Sequence, residues 1–237
     1  MATLLGAPGA GKSTLVLDWL DRVQVPSLYI SLDTSLVDQA VRYVARRTGA
    51  SMQEVELYPV EKTKAELERI ESRIRFFGIT VRTHAIGEVV AAETEYWGEP
   101  PAIVVIDNMK NLVEKEEGAA EYERIISDLH RVVRDHNTFI LALHHIVRPM
   151  RDSKDKARQR PVMMTDGMYA GERDVNFVFG IWRPREDQLR VAILKNRMGR
   201  DAPDGSLYTT LDFHGDTARV EDMDSVRQWI HSMGQKA

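Results

Sequence analysis

Residues 6–13 read GAPGAGKS, a full match to the pattern G-x-x-x-x-G-K-[S/T]. A short apolar run, Thr3–Leu5, precedes it and an amphipathic stretch, Gly11–Val23, follows. A strand, a glycine loop and a helix are the context this pattern requires. Gly6, Gly9 and Gly11 let the chain turn tightly, with Ala7, Pro8 and Ala10 between them, so that backbone N–H groups point inward at an anion. The helix start adds the positive end of its dipole. Lys12 supplies a point charge for β- and γ-phosphates, and Ser13 a hydroxyl for Mg²⁺, with Thr14 carrying the loop into the helix. Gly6–Thr14 is thereby expected to bind ATP with Mg²⁺.

The rest of the chain alternates short β-branched runs with amphipathic stretches, the pattern of an α/β sheet covered by helices. Expected strands are Thr3–Leu5, Ser27–Ser31, Ile79–Thr83, Ala102–Ile106, Thr138–Leu143, Val175–Trp182, Gln188–Leu194 and Leu207–Phe213. Expected helices are Gly11–Val23, Ser35–Thr48, Lys62–Phe76, Gly87–Trp97, Ala119–His136 and Asp224–Met233. Leu67, Ile70, Ile74 and Phe77 carry the apolar face of the third. Short links among the last three strands predict antiparallel hairpins on a mostly parallel sheet. The 237 residues fit one domain over 1–237. No cysteine is present, which excludes disulfide scaffolds, thiolate zinc sites and cysteine nucleophiles. No apolar run reaches the roughly 20 residues of a membrane helix, and no signal peptide is visible, so a cytoplasmic protein without membrane partners is expected.

The run AIVVI ends at Asp107. A carboxylate at the tip of a buried strand faces the crevice where open α/β sheets bind ligands. It reads either as a second magnesium anchor beside Ser13 or as a helix N-cap. The net charge of −4 hides an asymmetry: residues 148–160, RPMRDSKDKARQR, hold six basic and two acidic residues, +4, and the remainder carries −8. A long polar loop of this kind is functional or simply solvated.

Several segments in order resemble the RecA-like ATPase core of DnaB-type replicative helicases: GAPGAGKST, YISLDTS (29–35), IVVIDNMKNL, ILALHHIVR, RQRPVMMTDG with GERDVNFVFGIWR, and LKNRMG (194–199). The KNRxG form of the last is similar to RadA. The resemblance covers nearly the whole chain and implies a RecA-like P-loop NTPase core without the family's N-terminal domain and linker helix. It implies that Asp33 stands where a glutamate activates the attacking water, one methylene shorter here, unless Asp33 is a plain helix N-cap. It places His145 as the γ-phosphate sensor. His144 and His145 lie on opposite faces of a strand and make poor co-ligands for one metal. Lys195 and Arg197, two apart on a strand, are implied to reach the neighbouring subunit's nucleotide, unless they form a solvated basic edge. A ring, possibly a hexamer, follows from that role.

By the same resemblance, the segment 148–171 takes the place of a DNA-binding loop. Arg148, Arg151, Lys154, Lys156, Arg158 and Arg160 would neutralise phosphates without reading sequence. No aromatic residue lies among residues 148–160, so base stacking is not their mode. The C-terminal strands with the finger motif span 175–220. The implied activity is an ATP-dependent motor on single-stranded or forked DNA. Three alternatives stay open: a RadA-like recombination or repair ATPase; a metal-dependent, structure-specific nuclease, supported by the many carboxylates and the bare-core architecture; and a non-catalytic nucleotide-gated module, for which Asp33 in place of Glu is the only support.

Overall fold

ATLLG and SLYIS, the strands β1 (Ala2–Gly6) and β2 (Ser27–Ser31), are buried at every residue. Continuous burial of this kind belongs to parallel strands covered on both faces. The computed structural model describes residues 1–69, 73–78, 82–114, 118–146, 154–167 and 174–223. The other strands are β3 (Ile74–Phe77), β4 (Ile103–Asp107), β5 (Phe139–His145), β6 (Phe177–Arg185), β7 (Gln188–Asn196), β8 (Tyr208–His214) and β9 (Arg219–Asp222). The helices are α1 (Lys12–Val23), α2 (Leu36–Thr48), α3 (Met52–Glu56), α4 (Val60–Arg69), α5 (Ile86–Trp97), α6 (Ala119–His136) and α7 (Lys154–Gln159).

One nine-stranded sheet runs β3-β2-β4-β5-β1-β6-β7-β8-β9. The first six strands are parallel and the last three antiparallel, as the short C-terminal links predict. Helix α6 shows why the covering layer forms. Tyr122, Ile125, Ile126, Leu129 and Val132 recur every three or four residues and are all buried, and they join the core with Leu15 of α1 and Val90 of α5.

Two expectations are corrected. Lys62–Phe76 is not one helix: α4 ends at Arg69, and Ile74–Phe77 forms the edge strand β3, paired with Ser27–Ile30. The helical spacing of Leu67, Ile74 and Phe77 is real, but the open edge of β2 offers main-chain hydrogen bonds that a helix there would leave unmet. Arg75 then faces outward, 2.7 Å from Glu93 and over the Tyr96 ring at 4.0 Å, while Phe76 packs against Tyr29 and Tyr43. Of the expected strand Ile79–Thr83, residues 79–81 lie outside the described residues, and Thr83–Ala85 is a 3₁₀ turn. The expected helix Asp224–Met233 also lies outside them. The short elements α3, α7 and β9 had no counterpart among the expected elements.

Candidate active site

The register sets Ser31 of β2 beside Asp107 of β4, and Gly6 of β1 between His145 of β5 and Ile181 of β6. The carboxyl ends of these strands therefore share one rim, with α1 starting above it. A cavity of about 330 Å³ opens there, lined by Gly9, Gly11, Lys12, Ser13, Thr14, Asp33, Asp107 and His145, among others. That is the size class of small-molecule sites. Gly11 has φ +98°, and a Cβ on it would meet the Phe213 ring at 2.7 Å, so both conformation and space demand glycine. Ala7 and Ala10 are buried beneath the loop, and Pro8 and Gly9 form its exposed tip.

Lys12 is 5% exposed. Its ammonium group donates to Gly6 O at 2.9 Å and Ala7 O at 3.2 Å, and lies 2.9 Å from His145 Nδ1. Burial lowers its pKa to about 8, against the opposing pull of Asp107 and Asp33. Burial, and next the Lys12 charge, lower the pKa of His145. A charged Lys12 donating to Nδ1 selects the neutral tautomer with its proton on Nε2. Nε2 lies 3.8 Å from Asp33 Oδ2.

Asp107 receives two hydrogen bonds on one oxygen: Ser13 Oγ donates to Oδ2 at 2.7 Å and Tyr29 Oη at 2.6 Å. Burial, and next the Asp107 charge, hold the Tyr29 hydroxyl well above its ordinary pKa, so it stays a donor. A hydroxyl and a carboxylate in contact form a hard oxygen pair of the kind Mg²⁺ accepts alongside substrate phosphates. Neither Asp107 nor Asp33 caps a helix: Asn108 caps the 3₁₀ turn Met109–Leu112, and Ser35 caps α2 by accepting from Asp38 N. Asp33 instead sits in a bend, its N–H donating to Asp107 O at 3.2 Å, with a half-exposed carboxylate. His144 points the other way, buried edge-on against Tyr122, as strand alternation requires.

Three residues of this site were not among the expected site residues, although Tyr29 and Arg183 lie within the segments YISLDTS and GERDVNFVFGIWR. Tyr29 orients Asp107 and was detectable only as a tyrosine in a fully buried strand, where its hydroxyl needs a partner. Arg183 of β6 and Phe213 of β8 close the far end of the cavity, with the guanidinium 4.4 Å from the ring centroid. The finger pair is not gathered here, since neither Lys195 nor Arg197 lines the cavity. The expectation that both lie on one strand face is corrected. β7 ends at Asn196 and Arg197 is in the following turn, because Asn196 Oδ1 accepts from Met198 N and Asp201 Oδ2 accepts from Asn196 N.

Of the basic segment, Arg148, Arg151 and the Lys154 side chain lie outside the described residues. Lys156 is exposed on α7. Arg158 packs at the phosphate loop, its guanidinium 3.5 Å from where a Cβ on Gly9 would stand. Arg160 is engaged within the chain, donating two hydrogen bonds to Asp166 at 2.9 and 2.7 Å. Among the described residues, no group of three or more His, Asp or Glu side chains gathers to hold a metal, so the nuclease alternative gains no carboxylate cluster. Nor, among the described residues, is any helix long and apolar enough to cross a membrane.

Residues 1–148 match the family described as AAA domain. The chain belongs to this AAA domain family. Over 94% of its length the chain is 30% identical to the Gene 65 protein of Mycobacterium phage D29, all of which it covers. It is 26% identical to the Gene 65 protein of Mycobacterium phage L5, covering 85% of that protein. Among solved structures it is similar to a DnaB-like replicative helicase (TM-score 0.76, 17% identity, 94% of this chain and 57% of that one). It is likewise similar to a separately solved ATPase domain (TM-score 0.75, 18% identity, 94% of this chain and 84% of that one). The RadB recombinase aligns less closely (TM-score 0.56, 16% identity, 94% of this chain and 90% of that one). The chain thus has the RecA-like fold of these structures, and its AAA domain family makes it a P-loop ATPase.

Proposed function

We propose that this protein hydrolyses Mg²⁺–ATP to drive movement on single-stranded or forked DNA. The observation that carries the reading is the convergence of Lys12, Ser13 with Asp107, and His145 with Asp33 on one cavity at the strand ends. Phosphates entering the loop replace Gly6 O and Ala7 O as partners of Lys12. His145, fixed in its tautomer, offers Nε2–H to the terminal phosphate. Asp33, half exposed beside it, orients the attacking water. Magnesium, held by Ser13 and Asp107, would neutralise charge on the β- and γ-phosphates. Arg183 over the Phe213 ring offers a flat cationic platform for the base. DNA as substrate is supported by the likeness to the DnaB-like replicative helicase. His145, together with the likeness to the RadB recombinase, favours a recombination or repair ATPase as the second reading.

An ATPase assay with and without a forked oligonucleotide tests this directly. DNA-stimulated turnover with ATP-dependent strand release is expected, and shortened strands on a denaturing gel would overturn it. Asp33→Asn is expected to lower turnover about a hundredfold, the scale of a misplaced or missing catalytic group. Asp33→Glu is expected to raise it, because the longer side chain brings the carboxylate nearer the phosphates. Equal turnover in all three proteins would remove Asp33 from the mechanism.

The depressed pKa of Lys12 gives a pH signature. The free protein loses the Lys12 proton as pH rises through about 8. Bound phosphate favours the charged form and restores that proton. Nucleotide affinity should therefore hold below about pH 8 and fall above it. Calorimetry in mildly alkaline solution, in buffers of different ionisation enthalpy, should show proton uptake on binding. Proton release or no exchange would contradict the assignment.

A further inference from the structure

Beside the phosphate-loop cavity lies a smaller pocket of about 70 Å³, lined by Arg158, Gln159, Arg183, Arg185 and Glu186. Three guanidinium groups from α7 and β6 meet there with one carboxylate. Bringing like charges together opposes folding unless an anion offsets it. The Arg183 guanidinium bears this out: burial first, and the Arg158 charge second, hold its pKa below the ordinary value. Its Nη2 donates to the main-chain oxygen of Glu186 at 2.5 Å, while its buried Nε has no hydrogen-bond partner among the described residues. Arg185 meets Asp187 only at 3.5 Å with both side chains mostly exposed, a pairing worth little. Arg158 is held in place because Ala157, its neighbour in α7, is buried in the core and its own guanidinium packs on Gly9.

We infer that this pocket is a second phosphate site, taking one phosphate group on the guanidinium forks of Arg158, Arg183 and Arg185. Planar forks match the oxygens of a phosphate, and a second fork adds both charge and geometry. The volume decides the ligand class. At about 10–15 Å³ per water position, 70 Å³ holds roughly five to seven positions, room for the five heavy atoms of one phosphate group. A nucleoside does not fit. Arg183 lines both this pocket and the larger cavity, so occupancy of one acts on the other. That link rests on the nucleotide reading above, whereas the site itself does not. A strand's backbone phosphate and free phosphate share this chemistry.

The test uses the full chain without nucleotide. A labelled single-stranded oligonucleotide is followed by anisotropy across a salt series, and inorganic phosphate by calorimetry. The proteins are the wild type, Arg158→Ala, Arg185→Ala and, as a control on the outer face of α6, Arg131→Ala. Arg185 is two-thirds exposed, so its variant keeps the fold. Each pocket variant is expected to weaken binding about tenfold or more, the scale of a lost charged hydrogen bond. Each should also reduce the salt slope by about 1, while Arg131→Ala changes neither. Loss confined to the oligonucleotide assigns the pocket to a strand's backbone, and loss confined to inorganic phosphate assigns it to free phosphate. Unchanged binding of both probes overturns the site. ATP-analogue affinity is measured in parallel: its absence in the wild type would sink the nucleotide reading while leaving the pocket's own phosphate affinity standing.

Discussion

Lys12→Met is expected to abolish nucleotide binding and turnover while leaving the protein folded. The ammonium group faces two loop carbonyls and His145 in the free protein, and these are the contacts it would trade for phosphate. Loss of the buried cation under the phosphate loop removes its charge contact to the β- and γ-phosphates. The fold survives because two terms oppose each other. Lowering the pKa from 10.5 to about 8 corresponds to a cost on the order of 3 kcal/mol for burying the charge at neutral pH. That cost is fully present below about pH 8 and is relieved as pH rises toward 10.5. Methionine fills similar space without it, but forfeits three hydrogen bonds at about 0.5–1.5 kcal/mol each. The sums nearly cancel, so the melting temperature should move by only a few degrees. Retained nucleotide affinity in this variant would overturn the site, and a collapsed fold would overturn the energetics.

Arg197→Ala is expected to reduce turnover by at least about a thousandfold without weakening nucleotide binding comparably, the effect of losing a charge supplied only at the transition state. Neither Arg197 nor Lys195 lines the cavity of its own chain, so a contribution to phosphate chemistry has to come from a neighbouring copy. Arg197 is exposed in the turn after β7, with Met198 82% exposed beside it, a place from which a second molecule can be reached. Mixing separates this from any structural role. Lys12→Met protein keeps Arg197 and lacks the loop lysine, and Arg197→Ala protein is the reverse. Mixed assemblies should regain activity that neither variant has alone. No recovery on mixing, with both variants folded, would show that Arg197 does not act across a subunit boundary.

How much of this was legible in the chain varies with the range of the interactions. The phosphate loop was legible because its chemistry lies in adjacent backbone groups whose geometry glycine spacing controls. The same holds for α6, whose bounds Ala119–His136 match the periodic pattern, and for the hairpin order of β6, β7 and β8. Edge strand β3 was not legible. Its residues continue the apolar spacing of α4, and only the unpaired edge of β2 decides between helix and strand. The strand placement of Arg197 was missed for a local reason that periodicity does not register: side-chain hydrogen bonds at Asn196 and Asp201 end the strand one residue before it.

By itself the sequence marked the glycine loop, the α/β class and Asp107 at a strand tip, while the family resemblance added Asp33 and His145 as candidates. Tertiary structure alone decided which of these touch. Ser13 reaches Asp107 across 94 residues, Tyr29 reaches it across 78, and Lys12 reaches His145 across 133. It also brought Arg183, Phe213 and Arg158 to the loop, residues with no shared spacing. The physical reason is that parallel strands joined by crossovers align their carboxyl ends by register rather than by sequence order. A site built on that rim is therefore assembled from positions that a one-dimensional pattern cannot bring together.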